Sequence, residues 1–144
     1  MKIKLVLSIV ILELLHLSPI LWTKNLNETV SFYETVLGFK GKSDFPNFAS
    51  LTNGNVEIMF VVPQNDDNGR AGEEVNKDFF PKPLLTGGLF ITTDEVDEIW
   101  ASVKDRTIVK TAIEDRAYLM RDFSILDNNG YELVFGQDIS NRTT

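Results

Sequence analysis

Apolar positions recur at helix and strand periods twice along the chain, each time in the same order. A strand-like run, "LSPILWT", leads into "NETVSFYETVL", where Leu26, Val30, Tyr33 and Leu37 fall on one face of a helix. Asn25 with Glu28 three residues later predicts a capping box for its first turn, because each side chain can satisfy a helix-start amide. Gly38 supplies the left-handed stop. Three alternating runs follow, "FKGKSDF", "FASLT" and "VEIMFVV", the last two joined through Asn53-Gly54, a pair that accepts the positive φ of a tight hairpin.

Residues 63–85 are rich in Asn, Asp, Gly and Pro and carry no apolar period, which predicts a linker. The pattern then restarts. "GLFITT" predicts a strand, and "DEVDEIWASVKDR" a helix with Val96, Ile99, Trp100 and Val103 on one face. Three more strands follow in "TIVKTAI", "YLMRDFSIL" and "YELVFG". The strand end and cap at Thr23-Lys24-Asn25 match Thr92-Thr93-Asp94, and "EIMF" matches "ELVF". The expected fold class is therefore α+β, with two βαβββ modules at 16–62 and 86–137, each too small to bury its own sheet alone. Residues 138–144 read as a polar tail.

The chain has 144 residues, which bounds it to one domain, so the duplicated unit lies inside a single fold. A net charge of −7 works against a grip on phosphate backbones or anionic lipid, so neither nucleic acid nor membrane is expected as a partner. With no cysteine in the chain, disulfides, thiolate metal sites and cysteine nucleophiles are excluded. Residues 1–15 form an extra apolar segment that outlines a secretory signal or an added element. Glu13 breaks its apolar run, which is shorter than the roughly 20 residues that span a bilayer, and no small-residue cleavage site follows. A cytoplasmic location is the expectation.

Side chains alternate across a strand, so each run divides into a helix-facing set and a set facing the concavity of a curved sheet. Val56, Ile58 and Phe60 belong to the first set and Glu57, Met59 and Val61 to the second. Tyr131, Leu133 and Phe135 oppose Glu132 and Val134, Leu21 and Thr23 oppose Ile20 and Trp22, and Leu89 and Ile91 oppose Phe90. The sets facing the concavity combine aromatics with acids.

The repeated βαβββ order, "KNLNETVSFYETVLGF", the closing "EIMF" and the turn phrase "DNNGYELVFGQ" together resemble the vicinal oxygen chelate superfamily. This superfamily includes glyoxalase I, extradiol dioxygenases and bleomycin-resistance proteins. The resemblance covers about residues 16–137. It implies curved mixed sheets forming a shared cleft, and modules often exchanged between two chains of a homodimer. Metal-dependent members carry one His or Glu on each of four strands. Carried over, those positions fall on Ser18, Glu57, Gly88 and Val134, of which Glu57 alone is a ligand type. The resemblance is therefore to the metal-free, bleomycin-resistance-like members, with no cofactor, no catalytic residue and a small planar or cationic ligand. The expected ligand-binding residues are Trp22, Glu57, Met59, Phe90, Arg121 and Glu132. An alternative keeps a divalent metal at a displaced site of His16, Glu57 and Glu132, giving a lyase, isomerase or dioxygenase. A second alternative is a scaffold that binds nothing small.

Overall fold

A computed structural model describes residues 4–6, 9–63 and 85–142. The predicted linker lies almost entirely outside these residues. Near the N-terminus, β1 (Lys4–Val6) and β2 (Ile9–Ile11) pair antiparallel as a separate two-stranded sheet. Among the described residues no helix is long and apolar enough to cross a membrane.

The first module comprises β3 (Ile20–Trp22), α1 (Leu26–Thr35), β4 (Lys40–Lys42), β5 (Phe48–Asn53) and β6 (Val56–Val61). Its sheet order is β3-β6-β5-β4, with β3 parallel to β6 and the other pairs antiparallel. The second module repeats this with β7 (Gly88–Thr92), α2 (Val96–Val103), β8 (Ile108–Asp115), β9 (Met120–Leu126) and β10 (Glu132–Asp138), in the order β7-β10-β9-β8. Here β7 is the parallel neighbour of β10. The α+β fold with two βαβββ modules is thus the one expected.

The local signals hold with instructive exceptions. Asn25 caps α1, its Oδ1 accepting the Glu28 amide at 3.0 Å. Asp94 does not cap α2. The Val96 amide instead donates to Oε1 of Gln137 on β10 at 3.2 Å, a tertiary contact that the local sequence cannot reveal. The first hairpin turns on Gly54-Asn55 rather than Asn53-Gly54, since Asn53 pairs with Val56 and only Gly54 of the turn has positive φ (58°). The polar tail also begins later than expected. Asp138 ends β10, and Ile139 is buried, with its amide donating to the Leu119 carbonyl.

One core joins the helix-facing sides of both modules. Leu51, Ile58 and Phe60 of the first pack in the same cluster as Phe123, Ile125 and Leu133 of the second, with Val96 and Val103 from α2. Each such side chain contributes about 1.5–3 kcal/mol by leaving water. Tyr33 packs edge-on against Phe39, with ring centres 5.4 Å apart, and lies 5.3 Å from Phe60.

Polar contacts then fix one module against the other. The Tyr33 hydroxyl donates to Oδ2 of Asp127 at 2.7 Å, and Oδ1 of Asp127 accepts the amides of Asn129 and Tyr131, both at 2.9 Å. Asn128 and Asn129 donate to the Thr29 hydroxyl on α1 at 2.9 and 3.1 Å. Tyr131 donates to the Trp22 carbonyl at 2.8 Å. The second Asn-Gly phrase therefore does more than close a hairpin: it seats the second module on the first helix.

Candidate functional site

The faces of the two sheets turned away from the core carry the candidate chemistry. On the first module, Ile20 and Trp22 stand 59% and 50% exposed while Leu21 and Thr23, which alternate with them, are buried, so the strand period places both on the open face. Glu57 and Met59 share that face and are half-buried. Ser18 donates to Oε1 of Glu57 and Ser50 donates to Oε2, each at 2.6 Å. The Ser18 hydroxyl first, then that of Ser50, and more weakly the charge of His16, hold the Glu57 carboxyl below its ordinary value. Glu57 is thus a fixed, ionised carboxylate on the same face as an exposed indole.

On the second module, Phe90 is 51% exposed on the open face and pairs in register with Val134. Its ring lies across the sheet over Gly136. A Cβ built at Gly136 would collide with Phe90 Cζ and stand 3.1 Å from Met120 Cε, so that glycine makes room for the flat ring. Because the obstructing atoms are the far ends of side chains, Gly136→Ala should leave the melting temperature within a few degrees and lift the ring instead. The expected readout is a changed near-ultraviolet circular dichroism spectrum and a roughly two- to tenfold loss of affinity for a planar ligand, the worth of one aromatic contact.

Glu132 receives a hydrogen bond from Lys110 Nζ at 3.1 Å and faces Gly88 across the β7–β10 pair. This register corrects the fourth family position. Ile20 pairs with Met59 as Phe90 pairs with Val134, so the counterpart of the Ser18–Glu57 contact is Gly88–Glu132. The repeat partner of Glu57 is Glu132 and not Val134. "EIMF" and "ELVF" carry that alignment, since each places Phe three residues after Glu.

Arg121 departs from the expected set. It pairs in register with Gln137, whose side chain caps α2, and so lies on the helix-bearing face. There it bridges Asp97 of α2 and Asp115 of β8, at 2.9 Å to each. These acids raise its already high pKa, and it ties a helix to a sheet rather than facing a ligand. Its neighbour Asp122 occupies the open face instead, buried and bound at Oδ1 by Arg116 Nε at 2.8 Å and at Oδ2 by the Tyr118 hydroxyl. Sequence reasoning misses both Arg116 and Tyr118. The available signal is a Tyr and an Arg flanking the turn before an alternating Asp.

With this register, the four ligand positions that the resemblance implies carry Ser18, Glu57, Gly88 and Glu132. This set does not fit a divalent metal. Glycine offers no side-chain ligand and a neutral serine hydroxyl is a poor one, so only the carboxylates Glu57 and Glu132 remain, on separate sheets, whereas a catalytic zinc usually draws on three His, Cys or carboxylate ligands. Among the described residues no three His, Cys, Asp or Glu side chains converge.

Residues 13–135 match the family model described as the glyoxalase/bleomycin resistance protein/dioxygenase superfamily. Among solved structures, the chain is similar to a protein of unknown function from Agrobacterium tumefaciens, with 20% identity over 89% of this chain and 97% of the other and a TM-score of 0.64. A glyoxalase/bleomycin resistance protein/dioxygenase from Alicyclobacillus acidocaldarius matches at 16% identity, 89% and 94% coverage and a TM-score of 0.65. A bleomycin resistance determinant encoded on the transposon Tn5 matches at 19% identity, 85% and 97% coverage and a TM-score of 0.60. At these identities the likeness is one of fold. No curated protein matches the sequence.

Proposed function

Because the chain belongs to the glyoxalase/bleomycin resistance protein/dioxygenase superfamily, we propose that it is a metal-independent binding protein for a small planar or cationic molecule. The observation that carries the reading is the Glu57 carboxylate, kept ionised by two serine hydroxyls on the same open face as the exposed Trp22. An aromatic face attracts a cation by about 0.5–2 kcal/mol, and a fixed carboxylate adds a directed contact. Sequestration needs no further chemistry. Trp22, Glu57 and Met59 supply one half of the site and Phe90 and Glu132 the other.

These halves sit on two open sheets, and we infer that a homodimer brings them together into shared clefts. The exposed Ile20, Trp22 and Phe90 support this, since apolar groups left in water favour a partner surface. With a net charge of −7, the same reading has a cytoplasmic protein with neither nucleic acid nor membrane as partner. Titration of Trp22 fluorescence with planar cationic dyes should give saturable binding, and light scattering at micromolar concentration should give twice the chain mass. A monomer that binds no such dye would remove both claims.

A carboxylate recurs at both repeat positions, Glu57 and Glu132, and a second reading builds on it a displaced metal site with His16 that supports lyase, isomerase or dioxygenase chemistry. Because these three side chains do not converge within one chain, that site needs a second chain to complete it. Melting curves with nickel, zinc, manganese and iron separate the two. A metal held by the native state raises the melting temperature by mass action, whereas the binding-protein reading expects no shift with any of the four.

A further inference from the structure

We propose that Tyr118, fastened by the buried Asp122 and its partner Arg116 to the open face that carries Phe90, selects the ligand, and that it selects a planar molecule bearing N–H donors. The inference rests on the binding-protein reading above and narrows it to a chemical class.

Asp122 lies directly across from Gly136 in the β9–β10 register. The edge of the Phe90 ring and the end of Met120 fill the space over that same glycine. Phe90, Met120 and Asp122 are therefore neighbours on one open face. Tyr118, itself 63% exposed, is attached to this patch by its hydrogen bond to Asp122 Oδ2. Arg116 locks the other oxygen of Asp122 and is itself occupied by Glu114 at 2.8 Å and by the Ala112 carbonyl at 3.0 Å. A side chain in the hairpin turn, otherwise free to swing, is thereby tethered to the open face that carries Phe90.

The direction of these bonds sets what a ligand must offer. Tyr118 has one proton and spends it on Asp122, so its oxygen can only accept further hydrogen bonds. The acids show the same bias. Glu132 accepts from Lys110, and the Ser18 and Ser50 protons are committed to Glu57. A ligand whose edge carries amine or amidine N–H groups matches these acceptors, while one that presents acceptors meets lone pair against lone pair. The same ring system with its N–H groups methylated loses the contact with Tyr118 and keeps the stacking on Phe90.

The test compares proflavine, a planar cationic dye with two free amino groups, with acridine orange, whose ring and charge are alike but whose amino groups are fully methylated. Fluorescence titration of the full chain with each dye is repeated on Tyr118→Phe, with a thermal melt confirming that the variant folds. The expected result is a three- to tenfold loss of proflavine affinity in Tyr118→Phe and acridine orange affinity within twofold of wild type, the size of one hydrogen bond. Equal losses for both dyes, or none for either, overturn the selection by Tyr118 while leaving the binding-protein reading standing. If neither dye binds the wild type saturably, both fall together.

Discussion

Asp127→Ala is expected to lower the stability of the folded chain by about 2–4 kcal/mol, which for a domain of this size lowers the melting temperature by roughly 5–15 °C. The carboxylate accepts from the Tyr33 hydroxyl and from the amides of Asn129 and Tyr131, and alanine leaves all three without their acceptor. The phenol suffers most because Tyr33 is fully buried. Part of the loss is offset, since burying the carboxylate is itself unfavourable, and that burial raises its pKa against the pull of its hydrogen bonds. Asp127→Asn keeps an acceptor for the two amides and should cost only about 1–2 kcal/mol.

The pH dependence has a definite sign. A carboxyl whose pKa is raised on folding contributes stability that is complete below its unfolded value, near 3.8, and is lost as pH rises through the folded value. The stability gap between wild type and Asp127→Asn should therefore be widest in acid and narrow toward neutrality. Urea midpoints measured at intervals from pH 4 to pH 7 check this, and a gap that widens with pH would contradict the burial argument. The Tyr33 phenol, also raised by burial and by the Asp127 charge, behaves alike at the alkaline end: its contribution is held below pH 10 and lost above.

Glu57→Gln carries the largest expected effect on binding. Replacing a carboxylate that contacts a cation removes a charge-assisted hydrogen bond, and proflavine affinity should fall tenfold to a hundredfold. The fold should be little disturbed, because the glutamine carbonyl can accept from one of the two serines and its amide can donate to the other. Since the Glu57 pKa is lowered, its charge persists below the ordinary value of 4.5. Both cation affinity and the stability from this group are present above that value and decline as pH falls through the folded one. An unchanged proflavine affinity in the variant would detach Glu57 from the site. Stoichiometric metal in the wild type that vanishes in Glu57→Gln would instead favour the enzyme.

The division of each strand into a core face and an open face is legible in the sequence, because a period of two assigns faces without knowledge of neighbours. Ile58, Phe60, Leu133 and Phe135 are buried as that alternation requires, and Trp22 and Phe90 stand open. The repeat itself is equally plain, since "EIMF" and "ELVF" fix both the strand and its phase. What local pattern does not supply is partnership across the chain. Arg121 reads as a site residue because alternation cannot say which face of β9 carries α2, and only the packing of that helix draws it to Asp97 and away from the open face.

Tyr33 illustrates the same limit from the other side. Its place on the apolar face of α1 follows from helical spacing, but its hydroxyl needs a buried acceptor, and that acceptor lies 94 residues away in the second Asn-Gly turn. The sequence by itself determined two modules and their strand faces, because these depend on short periods, but it set Val134 rather than Glu132 as the counterpart of Glu57. Tertiary structure alone decided the lock between modules, the register that pairs Glu132 with Gly88, and the Asp122 clamp on Tyr118. Each of these depends on which polar groups meet when distant segments exclude water together, and a buried hydrogen bond is specified by both of its ends.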